Sequence, residues 1–280
     1  QDTNSTSIQQ RFPLAKAILN EDIYRVKELG ALNREWLDNN FGAPFEELTP
    51  LLLACTNGRS HIVKYLLDCN VSPNRKSVPS TQTRRVAFGS SSSDDSNSSS
   101  GGSSGTAGGS GSLRLLTPPS VLHLLTPLNL AIATGNARTV QLLIDAKADI
   151  EYASSFSGKT ALHLATQAND LPCTMLLLQQ GADANAKDRN GLPPLHYAAR
   201  SNHAGIAALL IAFGANVNFI DAKNTRSAMH VAACHNSIEV ARLLTASKAN
   251  CGSQVDIDNF NPLQCAVQHS NHELAKFLCG

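Results

Sequence analysis

The sequence is poor in aromatic residues and has no strong excess of either charge. Aromatic side chains make up 5% of the 280 residues, and 23 basic side chains nearly balance 22 acidic ones. The formal net charge of +1 argues against broad electrostatic capture of nucleic acid or of an anionic membrane, although a local patch is compatible with it. No apolar run approaches the roughly 20 residues that a membrane-spanning helix needs. We therefore expect no nucleic-acid partner and no membrane insertion.

Signatures of enzymes and metal sites are also absent from the sequence. The seven cysteines have irregular spacings, and no two of them form a C-x-x-C pair. This arrangement favours free thiols in a reducing compartment, and no Cys/His cluster has the spacing of a zinc site. There is no P-loop, no G-x-G-x-x-G motif and no nucleophile elbow. The sequence therefore predicts a protein that is not an enzyme and that needs no cofactor and no metal.

The N-terminal residues bear on the expected cellular location of the protein. The chain opens at Gln1, and its first ten residues are polar, without the apolar stretch of a secretory signal. We interpret it as a processed or excised chain. The expected location is the cytoplasm, with the nucleus as a second possibility.

A repeat of 33 or 34 residues dominates the second half of the sequence, and the same register extends into the first half. Five residues after each repeat start stands an alanine, and seventeen residues after it stands a leucine. Seven starts obey both rules, which makes the period a property of the chain and not of one segment. The starts are Phe12, Thr49, Thr126, Thr160, Pro193, Ser227 and Asn261.

The repeated pattern is typical of a short helix, a tight turn and a second helix. Alanine inside the first helix suggests close helix–helix approach, where a larger side chain would overpack. Nine residues after the start, glycine or asparagine recurs, and these residues tolerate the left-handed conformation of a helix C-cap. Leucine pairs such as Leu209–Leu210 give the second helix an apolar stripe.

The TPLH-like starts resemble the ankyrin repeat, as in TALHLA from Thr160 and PPLHYAA from Pro193. The helix exits QQGADANAKDRNG (Gln179–Gly191) and AFGANVNFIDAKN (Ala212–Asn224) resemble the hairpin signature of that family. The resemblance implies an all-α solenoid of helix pairs with β-hairpin fingers and about seven repeats. Asn70, Lys147 and Lys248 depart from the pattern, because they stand where Gly181 and Gly214 end their second helices.

The run GSSSSDDSNSSSGGSSGTAGGSGS (Gly89–Ser112) interrupts the array. Because the alanine and leucine registers continue across it, we interpret it as an insertion in the finger between repeats 2 and 3. An engineered linker is the alternative. The predicted organisation is a disordered tail at 1–11, repeats 1–2 at 12–74, a disordered Ser/Gly-rich insertion at 75–120 and repeats 3–7 at 121–280.

The end of the insertion carries an apolar segment, LRLLTPPSVLHLL (Leu113–Leu125), with two open interpretations. Val121–Leu125 could extend the next finger and pack on its neighbour. The whole segment could instead be a docking segment, for a partner or for the groove of this chain. Thr117 precedes Pro118 and would suit a proline-directed kinase that switches such docking.

The resemblance to ankyrin repeats implies a protein partner on the concave face, which the first helices and the hairpin fingers form. Partner contacts in this family concentrate four, seven and eight residues after each start, and at the fingertips. Tyr197 and Arg200 lie on one helix face and belong to residue types that dominate binding hot spots. The predicted contact set is Leu164, Gln167, Leu192, Tyr197, Arg200, Arg226, Val231, His235, Phe260 and Gln268.

Two recurring residue types have alternative interpretations. His163, His196 and His230 recur one repeat apart, but they are the histidines of the TPLH-like motif and are expected to bond the backbone. Asn185 and Asn218 each follow a leucine by eight residues, which resembles the sites of an asparagine hydroxylase that acts on this family. Asparagine also suits a hairpin turn, so both positions can be purely structural.

The best interpretation is a monomeric interaction scaffold or adaptor for a protein partner. Two alternatives stay open. One is the substrate-recognition module of a ubiquitin ligase of the SOCS-box type, although nothing after Leu278 shows such a box. The other is the regulatory ankyrin region of a larger enzyme or channel.

Deleting Gly89–Ser112 tests whether the serine-glycine run is an insertion. Because the run holds no aromatic side chain and no aliphatic one larger than the methyl group of Ala107, its removal is expected to leave the helical circular dichroism and the urea midpoint unchanged. A separate deletion of Leu113–Ser120 tests the docking interpretation through its effect on partner binding. Loss of cooperative unfolding in the first deletion would contradict the insertion.

Overall fold

A computed structural model describes residues 13–38, 48–75, 126–155, 157–249 and 254–279. Within these ranges, helices account for nearly all regular structure and pair in order along the chain. A short additional helix, α3 (Glu35–Asp38), follows the first pair. The pairs are α1 (Pro13–Leu19) with α2 (Ile23–Leu32), α4 (Pro50–Thr56) with α5 (Ser60–Asp68), α6 (Pro127–Ala133) with α7 (Ala137–Asp145), α8 (Ala161–Gln167) with α9 (Leu171–Gln179), α10 (Pro194–Arg200) with α11 (Ala204–Ala212), α12 (Ala228–Cys234) with α13 (Ile238–Ala246), and α14 (Pro262–Gln268) with α15 (His272–Cys279).

The six predicted repeat starts from Thr49 onward are the N-caps of the first helices. Thr49 accepts a hydrogen bond from the backbone N–H of Leu52 at 3.2 Å, and Pro50 occupies the first helical position, where no N–H partner is needed. Asn261 and Gln264 form a reciprocal capping box, with donor–acceptor distances of 2.8 and 2.9 Å. These local bonds fix where each first helix begins.

The ends of the helices also follow the sequence pattern. Nine residues after the start, Gly58, Gly135, Asn169, Asn202 and Asn236 all have φ between 54° and 68°. The left-handed C-cap predicted for these positions is confirmed. Lys147 and Lys248 adopt φ values of 64° and 61° at the ends of their second helices, where a lysine costs about 1–2 kcal/mol more than glycine.

The core is one continuous layer built from the two invariant positions. All seven alanines five residues after the start are buried, and the six from Ala54 onward are fully enclosed. The leucines seventeen residues after the start are also buried, except Leu278, which is half-buried against the core. Consecutive first helices pack on one another, as do consecutive second helices, and the buried alanines and leucines lie on these helices. This layering accounts for the unbroken register.

Stacking continues between the segments on either side of residues 76–125. Helix α4 packs against α6, and α5 packs against α7. Asn136 donates from Nδ2 to the carbonyl of Gly58 at 2.9 Å, and the backbone N–H of Asp149 donates to Asn74 Oδ1 at 2.7 Å. The tail predicted at 1–11 and nearly all of the predicted insertion lie outside the described residues, as does Thr117, and their boundaries stay predictions.

The connections between repeats are fingers that contain little regular β structure. The resemblance predicted β-hairpins, but the described residues form no extended strand and only one isolated antiparallel bridge, Ile220–Ser227. The described fingers at 154–159, 188–192, 221–226 and 256–260 are each closed instead by a short backbone bond across the tip, such as Asp188 N–H to the carbonyl of Leu192 at 3.1 Å.

Enlarging one inter-helix alanine tests the close approach of the first helices. The substitution Ala198→Leu is expected to lower the free energy of unfolding by about 1–3 kcal/mol, because the fully enclosed site has no room for the added carbons. Urea denaturation followed by circular dichroism measures the change. The matched substitution Ala212→Leu, at an exposed position of α11, should have little effect. Equal urea midpoints for the two variants would contradict this packing.

Candidate partner-binding surface

Each fingertip from residue 188 onward is organised around a buried aspartate. Oδ1 of Asp188 accepts from the backbone N–H groups of Asn190 and Leu192 at 2.8 and 2.9 Å. Its Oδ2 accepts from the hydroxyl of Tyr197 at 2.7 Å. One buried carboxylate thus shapes the tip and fastens it to the next first helix, α10.

The same device recurs at Asp221 and Asp256. Asp221 accepts from the backbone N–H groups of Lys223 and Asn224 at 2.8 and 2.6 Å, and Asp256 accepts from that of Phe260 at 3.0 Å. Burial disfavours ionisation of Asp256, but hydrogen bonds from Phe260 and Arg226 outweigh burial and lower its pKa. Our sequence reasoning missed these three aspartates, although they precede their repeat starts by five or six residues.

The recurring histidines have the backbone role that the sequence favoured. His163 Nδ1 accepts from the backbone N–H of Thr160 at 3.2 Å, and its Nε2 lies 3.0 Å from the carbonyl of Leu192 in the next finger. The neutral Nε2–H tautomer satisfies both contacts. His196 Nε2 lies 3.1 Å from the carbonyl of Arg226 in the same way. Both histidines therefore tie a first helix to the following finger.

Tyr197 makes contacts within the protein, and part of its side chain stays accessible at the surface. Its hydroxyl bonds Asp188, its ring meets the ring of His163 edge-on at 5.8 Å, and Lys159 Nζ lies 4.6 Å from the ring centroid. Burial and the hydrogen bond to Asp188 raise the pKa of Tyr197 well above its usual range. The phenol therefore stays protonated, and its ring is half-buried.

Arg226, predicted as a fingertip contact, joins two neighbouring fingers. Its Nε donates to the buried Asp256 at 2.9 Å, and its Nη2 lies 3.7 Å from the exposed Asp258. Burial tends to lower the pKa of Arg226, but the hydrogen bond and charge of Asp256 outweigh burial and raise it. The guanidinium is therefore held in place and half-buried.

The apolar members of the predicted contact set are less exposed than the sequence suggested. Leu164, Val231 and Phe260 are half-buried and pack against the core, and Leu192 is half-buried at its fingertip. Leu192 and Phe260 are therefore only partly accessible at their fingertips, and their contact with a partner stays a prediction. Sequence reasoning missed three exposed apolar residues of the fingers, which lack a repeat register that would reveal them: Ile220, Val255 and Ile257.

The polar members of the set lie at equivalent places on four consecutive first helices. Gln167, Arg200 and Gln268 each end a first helix, and His235 follows the end of another. All four side chains are exposed. Gln167 accepts from Lys159 Nζ at 2.9 Å. Among the described residues, Arg200 forms no hydrogen bond and no ion pair, so its guanidinium is available to a ligand.

The two candidate hydroxylation sites lie in loops that follow second helices. Asn185 Nδ2 donates to the carbonyl of Gly214 at 3.1 Å, and its Oδ1 accepts from the backbone N–H of Asn216 at 2.7 Å. This amide therefore bridges two repeats, which is the structural role left open by the sequence. The backbone N–H of Asn218 donates to Asn216 Oδ1 at 3.0 Å. Hydroxylation of either residue stays a prediction.

The surface offers no evident nucleophile or metal cage in the part of the chain that the structure describes. No group of three or more His, Cys, Asp or Glu side chains there could hold a metal ion. The six cysteines in those ranges are free thiols, and burial raises the pKa of Cys173 and Cys265 to about 12. Such thiols remain protonated and unreactive. No described helix is both long and apolar enough to cross a bilayer.

Stacked helix pairs with finger turns, and histidines that bond the following finger, define a repeat-array class of protein. A family model described as ankyrin repeats in three copies matches residues 112–188, 128–221, 168–255 and 195–280, and a single-repeat model matches 46–75. The chain belongs to the ankyrin-repeat family.

Similar proteins have varied architectures. The chain is 33% identical over 156 residues to the tyrosine-protein kinase HTK16 of Hydra vulgaris and 29% identical over 157 residues to human SH3 and multiple ankyrin repeat domains protein 2. It is 32% identical over 134 residues to the mouse B-cell lymphoma 3 protein homolog. These alignments cover 54%, 55% and 46% of this chain, but only 20%, 8% and 30% of the respective relatives.

The buried histidines predict a specific pH dependence of stability. Burial lowers the pKa of His163, His196 and His230, so the unfolded chain binds protons before the folded chain as the pH falls. The contribution of the neutral histidines to the free energy of unfolding is then complete above about pH 6.5 and decreases below it. Each histidine contributes a decrease of at most about 1.4 kcal/mol for each pH unit. Urea denaturation between about pH 7.5 and 5.5 measures the slope.

A histidine substitution provides the control for this prediction. The variant His163→Gln removes one titrating group and should show a shallower decline of stability with falling pH, whatever its stability at neutral pH. If the free energy of unfolding of the unmodified chain is the same at both ends of the pH range, the predicted contribution of the histidines is wrong.

Proposed function

We propose that the chain is a protein-interaction scaffold that binds its partner on the concave surface of first helices and fingertips. The observation that carries this proposal is the row of exposed helix ends at Gln167, Arg200, His235 and Gln268. Half-buried apolar and aromatic side chains lie beside this row, notably Leu164, Tyr197 and Val231. Interfaces with a polar rim around a partly apolar centre have this composition.

The fixed geometry of the surface supports the same function. Buried aspartates hold the fingertips from residue 188 onward, and His163 and His196 hold two of the fingers to the preceding first helices, so ligand contacts would require little ordering of the backbone. A pre-ordered surface loses less entropy on binding than a flexible one. We place the function in the cytoplasm, with the nucleus as the second location, and we expect the array to act as a monomer.

A second candidate function is regulation within a longer polypeptide. The similarity to the tyrosine-protein kinase HTK16, of which the chain spans 20%, favours this candidate. In that arrangement the same concave surface would bind another part of the polypeptide or a partner of it. The ubiquitin-ligase alternative stays a prediction.

The substitution Arg200→Ala tests the concave surface. Because Arg200 is exposed and unbonded among the described residues, its truncation should leave folding unchanged and weaken partner binding about fivefold or more, the effect of about 1 kcal/mol. Affinity purification with the full chain, followed by quantitative mass spectrometry, compares the proteins recovered.

The matched control is Arg138→Ala, which removes an exposed arginine from the second helix α7. It should recover partners as the unmodified chain does. If Arg200→Ala and Arg138→Ala recover the same proteins in equal amounts, the partner does not bind at the proposed surface.

A further inference from the structure

Positive charge is concentrated on one part of this nearly neutral chain. We define the groove surface as helices α8, α10, α12 and α14 with the one residue that follows each of them, together with the fingertip segments 155–159, 187–192, 220–226 and 254–260. Among its described residues it carries six lysines and arginines and four aspartates. Three of those aspartates are buried, and Asp258 is the exposed one. The cations are Lys159, Lys187, Arg189, Arg200, Lys223 and Arg226.

The buried aspartates already accept hydrogen bonds from donors inside the protein. Backbone N–H groups and the hydroxyl of Tyr197 satisfy Asp188, and backbone N–H groups satisfy Asp221. Asp256 accepts from Arg226 and from the backbone N–H of Phe260. Since carboxylates in such hydrogen-bonded sites offer little to a ligand, the outer face of the groove surface is cationic.

Some of the cations are used to brace the fingers. Arg189 Nη2 donates to the carbonyl of Ser155 at 2.9 Å, and Lys223 Nζ donates to Asn190 Oδ1 at 2.7 Å. Lys187 Nζ lies 4.7 Å from the ring centroid of Phe219. These groups keep their positive charge, but part of their capacity for hydrogen bonds and cation–π contacts is used within the protein. Arg200 does not, and it is exposed on the groove surface.

A line of cationic and titratable groups passes through Arg200 across adjacent repeats. Arg200 ends α10, His235 follows α12 and His269 follows α14, and these three helices pack in order. All three side chains are exposed. Burial lowers the pKa of His235, and the neighbouring positive charges of Arg200, His269 and Arg226 lower it further. An anionic ligand along this line would relieve that repulsion.

We propose that the groove surface binds an acidic peptide segment in an extended conformation, with Arg200 as its principal charged anchor. This inference rests on the proposed function and specifies the chemistry of the partner. Guanidinium groups bind carboxylates through two parallel hydrogen bonds, which gives an exposed arginine a directional preference for aspartate or glutamate. His235 and His269 would donate hydrogen bonds to further carboxylates along the same line.

The spacing of the helices sets the spacing of the acidic residues. Packed helices lie about 8–10 Å apart, and an extended chain advances about 3.3 Å per residue. One carboxylate for each first helix therefore requires an acidic residue at about every third position of the bound segment. The residues between them would face the half-buried side chains of Leu164, Tyr197 and Val231, which favours apolar residues at some of those positions.

A peptide fits this surface better than nucleic acid does. Nucleic-acid affinity depends on lysines and arginines that neutralise successive phosphates, and the α10–α14 line supplies one arginine followed by two histidines. The three bracing cations lie on two fingertips, and the ring of Tyr197 beside the line is half-buried with Lys159 Nζ 4.6 Å from its centroid, which leaves little of it for stacking with bases. The chain as a whole has a formal net charge of only +1.

Fluorescence anisotropy with the full chain tests the inference. The probe is a fluorescein-labelled peptide with glutamate at every third position and leucine or serine between. Comparison probes are a peptide of the same composition with contiguous glutamates, a peptide with lysine replacing each glutamate, and a single-stranded RNA oligonucleotide. We expect the spaced glutamate peptide to bind most tightly, and its affinity to fall as salt is raised.

The charge reversal Arg200→Glu identifies the anchor. It should weaken binding of the spaced peptide about tenfold or more, because it replaces an ion pair with like-charge repulsion. The matched reversal Arg138→Glu on α7 should leave the affinity within about twofold of that of the unmodified chain, because it lies on a second helix away from the groove surface. Circular dichroism and urea denaturation check that both variants remain folded.

Three outcomes would overturn the inference. These are equal binding of the glutamate and lysine peptides, tighter binding of the RNA than of the spaced peptide, or equal loss with Arg200→Glu and Arg138→Glu. If none of the peptides binds, but Arg200→Ala still recovers fewer partners in affinity purification, the proposed acidic chemistry is wrong and the proposed scaffold function is retained. If Arg200→Ala loses no partner either, both proposals fail.

Discussion

The close approach of consecutive first helices is the constraint on which the array depends. An enclosed alanine at the same point of each repeat, such as Ala165, Ala198 or Ala232, leaves room for the neighbouring helix and no room for a larger side chain. Interiors are packed nearly as densely as organic crystals, so this small residue sets the distance between repeats. That distance in turn sets the spacing of every side chain displayed on the concave surface.

The fingers depend on a second, polar system that is equally buried. A carboxylate inside each tip from residue 188 onward, and a preceding-helix histidine such as His163, satisfy backbone groups that a short turn leaves unpaired. Buried polar groups stabilise a structure only when they are hydrogen-bonded, and Asp188 illustrates the condition by accepting three bonds. The fingers can therefore be short and still have a defined shape without β-strands.

Much of the fold was predictable because its determinants are local and periodic. Thr49 and Pro50 mark a helix start, Asn202 marks a helix end, and the alanine and leucine registers mark the buried faces without any knowledge of tertiary structure. The interactions that cross repeats were less accessible. The bond from Tyr197 to Asp188 and the ion pair of Arg226 with Asp256 join residues 9 and 30 positions apart, and no spacing rule connects them.

The candidate site was predictable to a similar extent. The sequence placed Gln167, Arg200, His235 and Gln268 at equivalent register positions, and all four are exposed at or just beyond the ends of first helices. Exposure of the fingertip residues was not predictable, because it depends on how each turn folds over its aspartate. Phe260 is folded inward, whereas Ile257, three residues earlier, is 65% exposed. Such differences arise from turn geometry, which composition does not encode.

The stacking of α4 on α6 has a consequence for how the protein can change over evolutionary time. The described residues on either side of the interval 76–125 meet at adjoining repeats, where Asn74 bonds Asp149 and Gly58 bonds Asn136. The entropic cost of joining two such neighbouring ends by a flexible segment rises only with the logarithm of its length, so doubling such a segment would cost only about 0.6 kcal/mol. Selection can therefore lengthen, shorten or rewrite this interval, and even place a new recognition sequence in it, while the solenoid retains its stability.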